Sequence, residues 1–222
     1  MKRLKSFMLL LPVLIMLSQN LFSQANEEEF LNAIRQGDIK QVENLINKGS
    51  DVNWVENDRN TPLMYAIWGN HFEIVKLLVS KGADVNLKTE KGGTALNAAA
   101  GAGNQDICRF LLENGAGINA RDNEGKTPLM NAVYNKKPEI VYYLVEKGSD
   151  VNLKEPNGWS ALMFAVMQGD KKSVQTLIEA GADVDSKTKD EETALQRAEK
   201  IHTAKLKDMK GIIDLLKKAG AE

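Results

Sequence analysis

The stretch that decides the fold is TPLMNAVYNKKPEIVYYLVEKGSDVNLKEPNGW, residues 127–159, because its pattern returns every 33 positions along the 222-residue chain. Alanine and glycine both mark this period. The alanines are Ala33, Ala66, Ala99, Ala132, Ala165 and Ala198. The glycines are Gly49, Gly82, Gly115, Gly148 and Gly181, followed after 39 residues by Gly220. Two residue types that recur in register indicate an internal structural repeat.

Each period predicts two short helices followed by a turn. In the copy that begins at Thr61, the threonine hydroxyl is suited to cap a helix, and Pro62 is suited to the first helical position. Residues 72–80 carry apolar side chains at helical spacing and predict the second helix. Gly82 predicts the end of that helix, and the turn that follows centres on Gly92.

Two short helices cannot bury an apolar face alone, so the copies are predicted to stack into one continuous core. The chain holds about six such units. Their predicted boundaries are 28–60, 61–93, 94–126, 127–159, 160–192 and 193–222.

The motifs of this period resemble those of the ankyrin repeat. TPLMYA from Thr61 and TPLMNA from Thr127 match the family's opening motif, and KGADVN at 81–86 and KGSDVN at 147–152 match its closing segment. The copies TALNAA, SALMFA and TALQRA match the opening less fully. The resemblance covers residues 28–222 and implies an all-α ankyrin-repeat solenoid of about six stacked helix-turn-helix repeats joined by β-turn loops.

The chain departs from the family pattern in two places. The histidine of the family's opening motif is replaced in five copies, which predicts that apolar filling takes the place of most of the family's hydrogen bonds there; the replacements are Met64, Asn97, Met130, Met163 and Gln196. The last copy gains six residues between Ile201 and Met209. A polar outer face is expected for this terminal copy, and the lysines that would supply it are Lys200, Lys205, Lys207 and Lys210.

The amino terminus, residues 1–25, has the layout of a secretory signal peptide. Three cations precede an apolar run at 6–17, and small residues follow at Ser23 and Ala25. Cleavage is predicted after Ala25, with Ser23 as the alternative, leaving an ankyrin domain over 26–222. An apolar strand or buried helix of the fold is the competing interpretation. Export to a periplasm or to the outside is expected, and the mature chain would carry 26 Lys and Arg against 30 Asp and Glu, a net charge of −4.

The composition excludes several functional classes. With 29 Lys and Arg against 30 Asp and Glu, the chain has no basic excess for duplex DNA. One cysteine excludes an intramolecular disulfide, and two histidines leave few ligands for zinc. Cys108 aligns with Val75 and Val141, which predicts a core position. Because no catalytic or phosphate-binding motif is present, we expect no enzyme activity, no cofactor and no metal.

Candidate binding residues follow from the resemblance, since ankyrin repeats bind proteins through a concave surface of turn tips and first helices. At the corresponding positions stand four large apolar side chains and four cations, both types that suit an interface. They are Trp68, Tyr134, Met167 and Trp159, with Lys88, Arg121, Lys154 and Lys187. The alternative is that the aromatic rings only cover helix ends and that the cations form a solvated edge.

The sequence thus favours an exported, non-catalytic module that binds another protein. The alternatives are an inhibitor, immunity or protective protein for one exported enzyme, a structural envelope protein, and an enzyme built on a repeat scaffold. We expect no nucleic-acid partner, no membrane insertion after signal removal, and a monomer.

Overall fold

The structure, a computed structural model, describes residues 26–56, 58–204 and 206–221. The predicted signal peptide, residues 1–25, lies outside these described residues, as does Lys205. The chain divides into two compact units. Unit one holds residues 26–56 and 61–83, and unit two holds residues 58–60 and 84–221.

Unit one contains four helices, of which α1 covers the described residues 26–36. The others are α2 (Ile39–Asn47), α3 (Pro62–Trp68) and α4 (Phe72–Ser80). Helix α4 packs on both α2 and α3. His71, just before α4, forms a ring-nitrogen hydrogen bond with the Arg35 carbonyl at 3.2 Å. The core of this unit consists of fully buried aliphatic and aromatic side chains, among them Phe30, Ile34, Leu45, Ile67 and Leu78.

Unit two stacks four helix pairs in chain order. The first helices of the pairs are α5 (Ala95–Ala102), α7 (Pro128–Tyr134), α9 (Ala161–Gln168) and α11 (Ala194–Thr203). The second helices are α6 (Gln105–Glu113), α8 (Pro138–Glu146), α10 (Lys171–Glu179) and α12 (Lys210–Lys218). Each first helix packs on the next first helix, and each second helix packs on the next second helix. No strand occurs among the residues that the structure describes, which agrees with the predicted all-α fold.

The predicted first helices begin where the Thr and Ser caps place them. The Thr127 hydroxyl accepts from the Met130 amide at 3.3 Å, and Pro128 occupies the first turn of α7. The same cap recurs at Thr61, Thr94, Ser160 and Thr193.

At the position of the family's histidine, apolar filling is confirmed for the methionines, because Met64, Met130 and Met163 are at most 2% exposed. Asn97 instead keeps a polar link, since its Nδ2 donates to the Lys126 carbonyl at 3.4 Å.

The turns between repeats form short hairpins that lie side by side. Within one hairpin the Asp122 amide donates to the Lys126 carbonyl at 3.1 Å, and between hairpins the Asn123 amide donates to the Lys91 carbonyl at 2.9 Å. The hairpin ends require a left-handed residue: Gly158 has φ +86°, and a Cβ there would lie 2.9 Å from Thr188 Cα. Glycine at this position is therefore needed both for its backbone conformation and for its lack of a side chain.

The asparagine of the closing motif ties neighbouring repeats together. Asn152 Nδ2 donates to the Gly181 carbonyl at 3.2 Å, and its Oδ1 accepts from the Asp183 amide at 2.8 Å. Asn86 bonds Gly115 and Gly117 in the same way. The sequence pattern predicts only a turn for this segment, so the inter-repeat role is a structural finding.

Two further sequence predictions concern single positions. Cys108 is fully buried in α6, as its alignment predicts, and burial raises the pKa of its thiol to about 12. In the last repeat, the extra residues lengthen both α11, which has 10 residues, and the loop that follows it. Lys207, expected to be a solvated lysine, donates from Nζ to the Met167 and Gln168 carbonyls at 3.1 and 3.2 Å. It therefore caps the carboxyl end of α9, where a cation is favoured by the helix dipole.

We expect Lys136→Gly to stabilise the protein by about 0.5–1 kcal/mol. Lys136 has φ +54° at the position where other repeats carry Gly103 and Gly169, so glycine removes the cost of a Cβ in the left-handed region. Chemical denaturation measures the change. Lys147→Gly is the control, since Lys147 has φ −86° and glycine there should lower stability. A loss of stability in Lys136→Gly would contradict the interpretation.

Candidate functional site

Unit two carries a cluster of three aromatic rings, two of which belong to residues predicted for binding. Tyr134, the last residue of α7, is 46% exposed and meets Phe164 edge to face at 6.2 Å between ring centroids. Trp159, half-buried in the neighbouring hairpin, packs on Phe164 as well, with 5.3 Å between the two ring centroids. We call Tyr134, Trp159 and Phe164 the Trp159 cluster. The buried Phe164 ring joins the two predicted residues, so they form one apolar surface.

Cations hold both ends of the Trp159 cluster. Lys126 Nζ lies 5.0 Å from the Tyr134 ring centroid, and the Arg197 guanidinium lies 5.0 Å from the Trp159 ring centroid. Such contacts are attractive because the face of an aromatic ring is electronegative. Lys126 also pairs with Glu124 at 2.7 Å. The hydrogen bond between them raises the pKa of Lys126 and lowers the pKa of Glu124, so both are charged at neutral pH.

A buried carboxylate positions the cation on Trp159. The Glu192 side chain is only 8% exposed and contacts Arg197 at 2.5 Å and Lys200 at 2.9 Å. Both cations lie on α11, while Glu192 ends the preceding hairpin. Glu192 therefore fixes the last repeat against the aromatic cluster through two ion pairs.

Met167, the fourth apolar residue of the prediction, lies on α9 three residues after Phe164 and is half-buried. Residues three apart on a helix are neighbours on its surface. Met167 therefore extends the apolar face of α9 beyond the Trp159 cluster.

Trp68 belongs to unit one and has its own set of contacts. It is 51% exposed and stands edge to face with Tyr65 at 5.4 Å. The Arg35 guanidinium lies 4.3 Å from the Tyr65 ring centroid and pairs with Glu56 at 3.6 Å, and the Tyr65 hydroxyl donates to Glu56. These contacts hold the Tyr65 ring and leave about half of Trp68 open to solvent.

The four predicted cations are exposed, and three of them also brace neighbouring hairpins. Each donates to the main-chain carbonyl of the next cation, 33 residues further on. Lys88 Nζ reaches the Arg121 carbonyl at 2.9 Å, Arg121 Nη1 the Lys154 carbonyl at 2.7 Å, and Lys154 Nζ the Lys187 carbonyl at 3.3 Å. Lys187 pairs with Glu191 at 3.6 Å. We call these four residues the cation ladder.

Three cations of the ladder keep an unneutralised positive charge although they form these hydrogen bonds to main-chain carbonyls. Within the described part of the chain, Lys88, Arg121 and Lys154 form no ion pair with a carboxylate. A carbonyl neutralises no charge, and an ammonium or guanidinium group has further N–H donors. The prediction of a solvated edge and that of a binding edge therefore both remain compatible with the structure, while the bracing role is new.

Sequence reasoning missed several members of these clusters. Tyr65 and Phe164 each stand three residues before a predicted residue on the same helix, a spacing that could have identified them. Glu192 stands at the period position of Trp159, 33 residues further on, but its contact with Arg197 depends on how the hairpin meets α11 and has no sequence signal.

A separate groove of about 510 Å³ lies on the second helices of unit two, away from any predicted residue. Tyr142 on α8 stands at this groove and is 56% exposed. Glu139 and Lys172 pair across it at 2.7 Å, and this contact lowers the pKa of Glu139. Burial raises the pKa of Tyr143, whose side chain also lines the groove.

The described residues contain no group of three His, Cys, Asp or Glu side chains arranged to hold a metal ion. Among the same residues, no helix has the length and apolar character needed to cross a membrane.

Comparison with known proteins identifies one family. The family model described as ankyrin repeats (3 copies) matches residues 10–89, 82–155 and 129–206. A search of curated protein sequences returns no match to this chain.

We expect Glu192→Gln to lower the free energy of unfolding by about 1–3 kcal/mol, because it removes the charge that pairs with Arg197 and Lys200 at a buried site. Glu191→Gln is the matched control. The Glu191 side chain is 80% exposed, so its loss should change stability by less than about 0.5 kcal/mol. Denaturation followed by tryptophan fluorescence measures both variants, and equal effects would contradict the role of Glu192.

Proposed function

Because the chain belongs to the ankyrin repeat family, whose repeats generally mediate protein–protein interactions, we propose that it binds one partner protein through the concave face of its repeats. The residues assigned to this contact are the predicted set. They are Trp68, Tyr134, Met167, Trp159, Lys88, Arg121, Lys154 and Lys187.

The observation that carries this proposal is the Trp159 cluster. Tyrosine, tryptophan and arginine dominate the energetics of protein interfaces, and here Tyr134, Trp159 and Arg197 are held together by fixed contacts. A surface that is already ordered loses little side-chain entropy on binding. The cluster therefore has both the composition and the rigidity of an interface anchor.

The exposed ring area distinguishes this interpretation from simple covering of helix ends. Packing accounts for Phe164 and for the half-buried Trp159, but Tyr134 and Trp68 each leave about half of their surface in water. Tyr65 packs on the buried side of Trp68, and Phe164 packs on the buried side of Tyr134. The outward sides of the two rings are thus available to a partner.

We assign no catalytic role to the chain, in keeping with a family that is typically a non-catalytic interaction module. The side chains that most often act in catalysis support this assignment. Cys108 is fully buried, with its thiol pKa raised to about 12, so at neutral pH it is a protonated core residue. His71 bonds a main-chain carbonyl.

Export is the second part of the proposal and rests on the sequence of residues 1–25, with cleavage after Ala25 or Ser23. The binding surface would then act in a periplasm or outside the cell. If the partner is an exported enzyme, the same surface would make the chain an inhibitor, immunity or protective protein.

We expect Tyr134→Ala and Trp159→Ala each to weaken partner binding by about 30-fold or more, the effect of losing an interface hot spot. A photoreactive phenylalanine analogue at position 134 keeps an aromatic ring there and captures the partner for mass spectrometry. Calorimetry with the purified partner then measures the affinity of each variant.

Tyr142→Ala is the matched control, because Tyr142 is a tyrosine on the second helices that is 56% exposed, against 46% for Tyr134. Its affinity should equal that of the unmodified chain. If Tyr142→Ala weakens binding while Tyr134→Ala and Trp159→Ala do not, the partner uses the opposite helices and the proposed surface is wrong.

A fusion of residues 1–30 to alkaline phosphatase should be active in a bacterial host, because this enzyme folds only after export to an oxidising compartment. A fusion that carries residues 26–30 alone is the control and should be inactive. Equal inactivity of the two fusions would refute export.

A further inference from the structure

The hairpins of unit two form an array with a fixed spacing. Each hairpin contributes two antiparallel segments, joined for example by the Thr188 amide and the Glu192 carbonyl at 3.1 Å. Neighbouring hairpins are joined in turn, as by the Lys189 amide and the Asn157 carbonyl at 2.9 Å. Hydrogen-bonded segments lie about 4.8 Å apart, so the array repeats about every 9.6 Å.

The cation ladder follows this spacing because its members occupy the same position in four consecutive hairpins. The bridge pairs Lys154–Ser160 and Lys187–Thr193 show the shared position directly. The braces to the next carbonyl fix the side chains of Lys88, Arg121 and Lys154 along the array. Positive charges therefore stand about 10 Å apart in a row.

Most carboxylates of the hairpins are already engaged. Asp122 accepts from the Glu124 and Lys126 amides, and the buried Glu155 accepts from the Asn157 and Trp159 amides. Glu124 forms an ion pair with Lys126, and Glu191 forms one with Lys187. Glu192 forms ion pairs with both Arg197 and Lys200. Three ladder cations are thus left to attract carboxylates from outside.

One regular backbone presents side chains at this interval on one edge. A polyproline II segment has three residues per turn and rises about 3.1 Å per residue, so every third side chain recurs about 9.3 Å apart on the same side. Side chains on one face of a β-strand recur at about 6.8 Å, and those of successive helical turns at about 5.4 Å. Neither of these matches the ladder, and two helical turns of seven residues span about 10.5 Å, which is further from about 9.6 Å than the polyproline II interval is.

We propose that the cation ladder binds a polyproline II segment of the partner with an acidic residue at every third position. This inference rests on the proposed function, because it names the chemistry of the partner at the same face. The segment is ordered before binding and so loses little entropy.

The test compares two labelled peptides of the same composition. One is four repeats of Glu-Pro-Pro, and the other is two repeats of Glu-Glu-Pro-Pro-Pro-Pro, which has the same charge in a different spacing. Fluorescence anisotropy with the chain lacking residues 1–25, at 50 mM salt, should show at least about fivefold tighter binding of the first peptide. Raising the salt concentration should weaken both peptides.

Three variants connect the effect to the ladder. Lys154→Gln should weaken the first peptide about two- to fivefold, the range for one exposed ion pair. Lys154→Arg keeps the charge and should bind like the unmodified chain. Lys218→Gln removes an exposed lysine from α12 and is the control for net charge, so its affinity should not change.

Equal affinity for the two peptides, or equal losses in Lys154→Gln and Lys218→Gln, would overturn the inference. Neither result bears on the proposed function, which is judged on the captured partner and the Tyr134 and Trp159 variants. The reverse outcome is also distinguishable. If the first peptide binds more tightly and Lys154→Gln weakens it, but the Tyr134 and Trp159 variants leave partner affinity unchanged, only the aromatic anchor is refuted.

Discussion

The structure depends on close packing between first helices, and this packing depends on one small side chain per repeat. All six alanines that mark the 33-residue period are buried: Ala33 is 5% exposed, and Ala66, Ala99, Ala132, Ala165 and Ala198 have no exposed surface. In unit two they lie on helices that contact one another in sequence. A larger side chain would push adjacent helices apart. Because no repeat buries its apolar face alone, every other feature of the stack requires that these helices remain close.

Polar groups then fix the register of helices that apolar contacts bring together. The closing-motif asparagines bond the main chain of the next repeat, and the hairpins bond one another. The cation ladder adds a third set of links on the hairpin side. These residues are exposed or half-exposed, so a surface that could contact a partner also helps to hold the repeats in place. The residues proposed for binding therefore overlap with residues that hold the repeats together.

The sequence predicted what depends on local pattern. The helix starts at Thr127 and Ser160, the apolar filling at Met130 and the core position of Cys108 follow from residue type and period alone. Contacts between side chains and distant main chain were not predictable, because they depend on rotamers and on the distance between elements. The ladder braces and the link from Lys207 to the end of α9 are of this kind. The sequence predicted which residues form the candidate surface. The groups that support them, above all Phe164 and Glu192, were identified only in the structure.

Pro156 interrupts the array of hairpins at one step. The residues at the same position of other hairpins, Glu90, Asn123 and Lys189, donate their amide to the preceding hairpin, but proline has no N–H to donate. In a repeat protein, cooperativity between neighbours decides how many repeats unfold together. The hairpin side is therefore less strongly coupled between the repeats on either side of Pro156 than elsewhere in unit two. Local opening of the carboxyl-terminal repeats has a natural boundary at this step, which Arg121 spans on the hairpin side and Asn119 spans through its bond from the Asp150 amide.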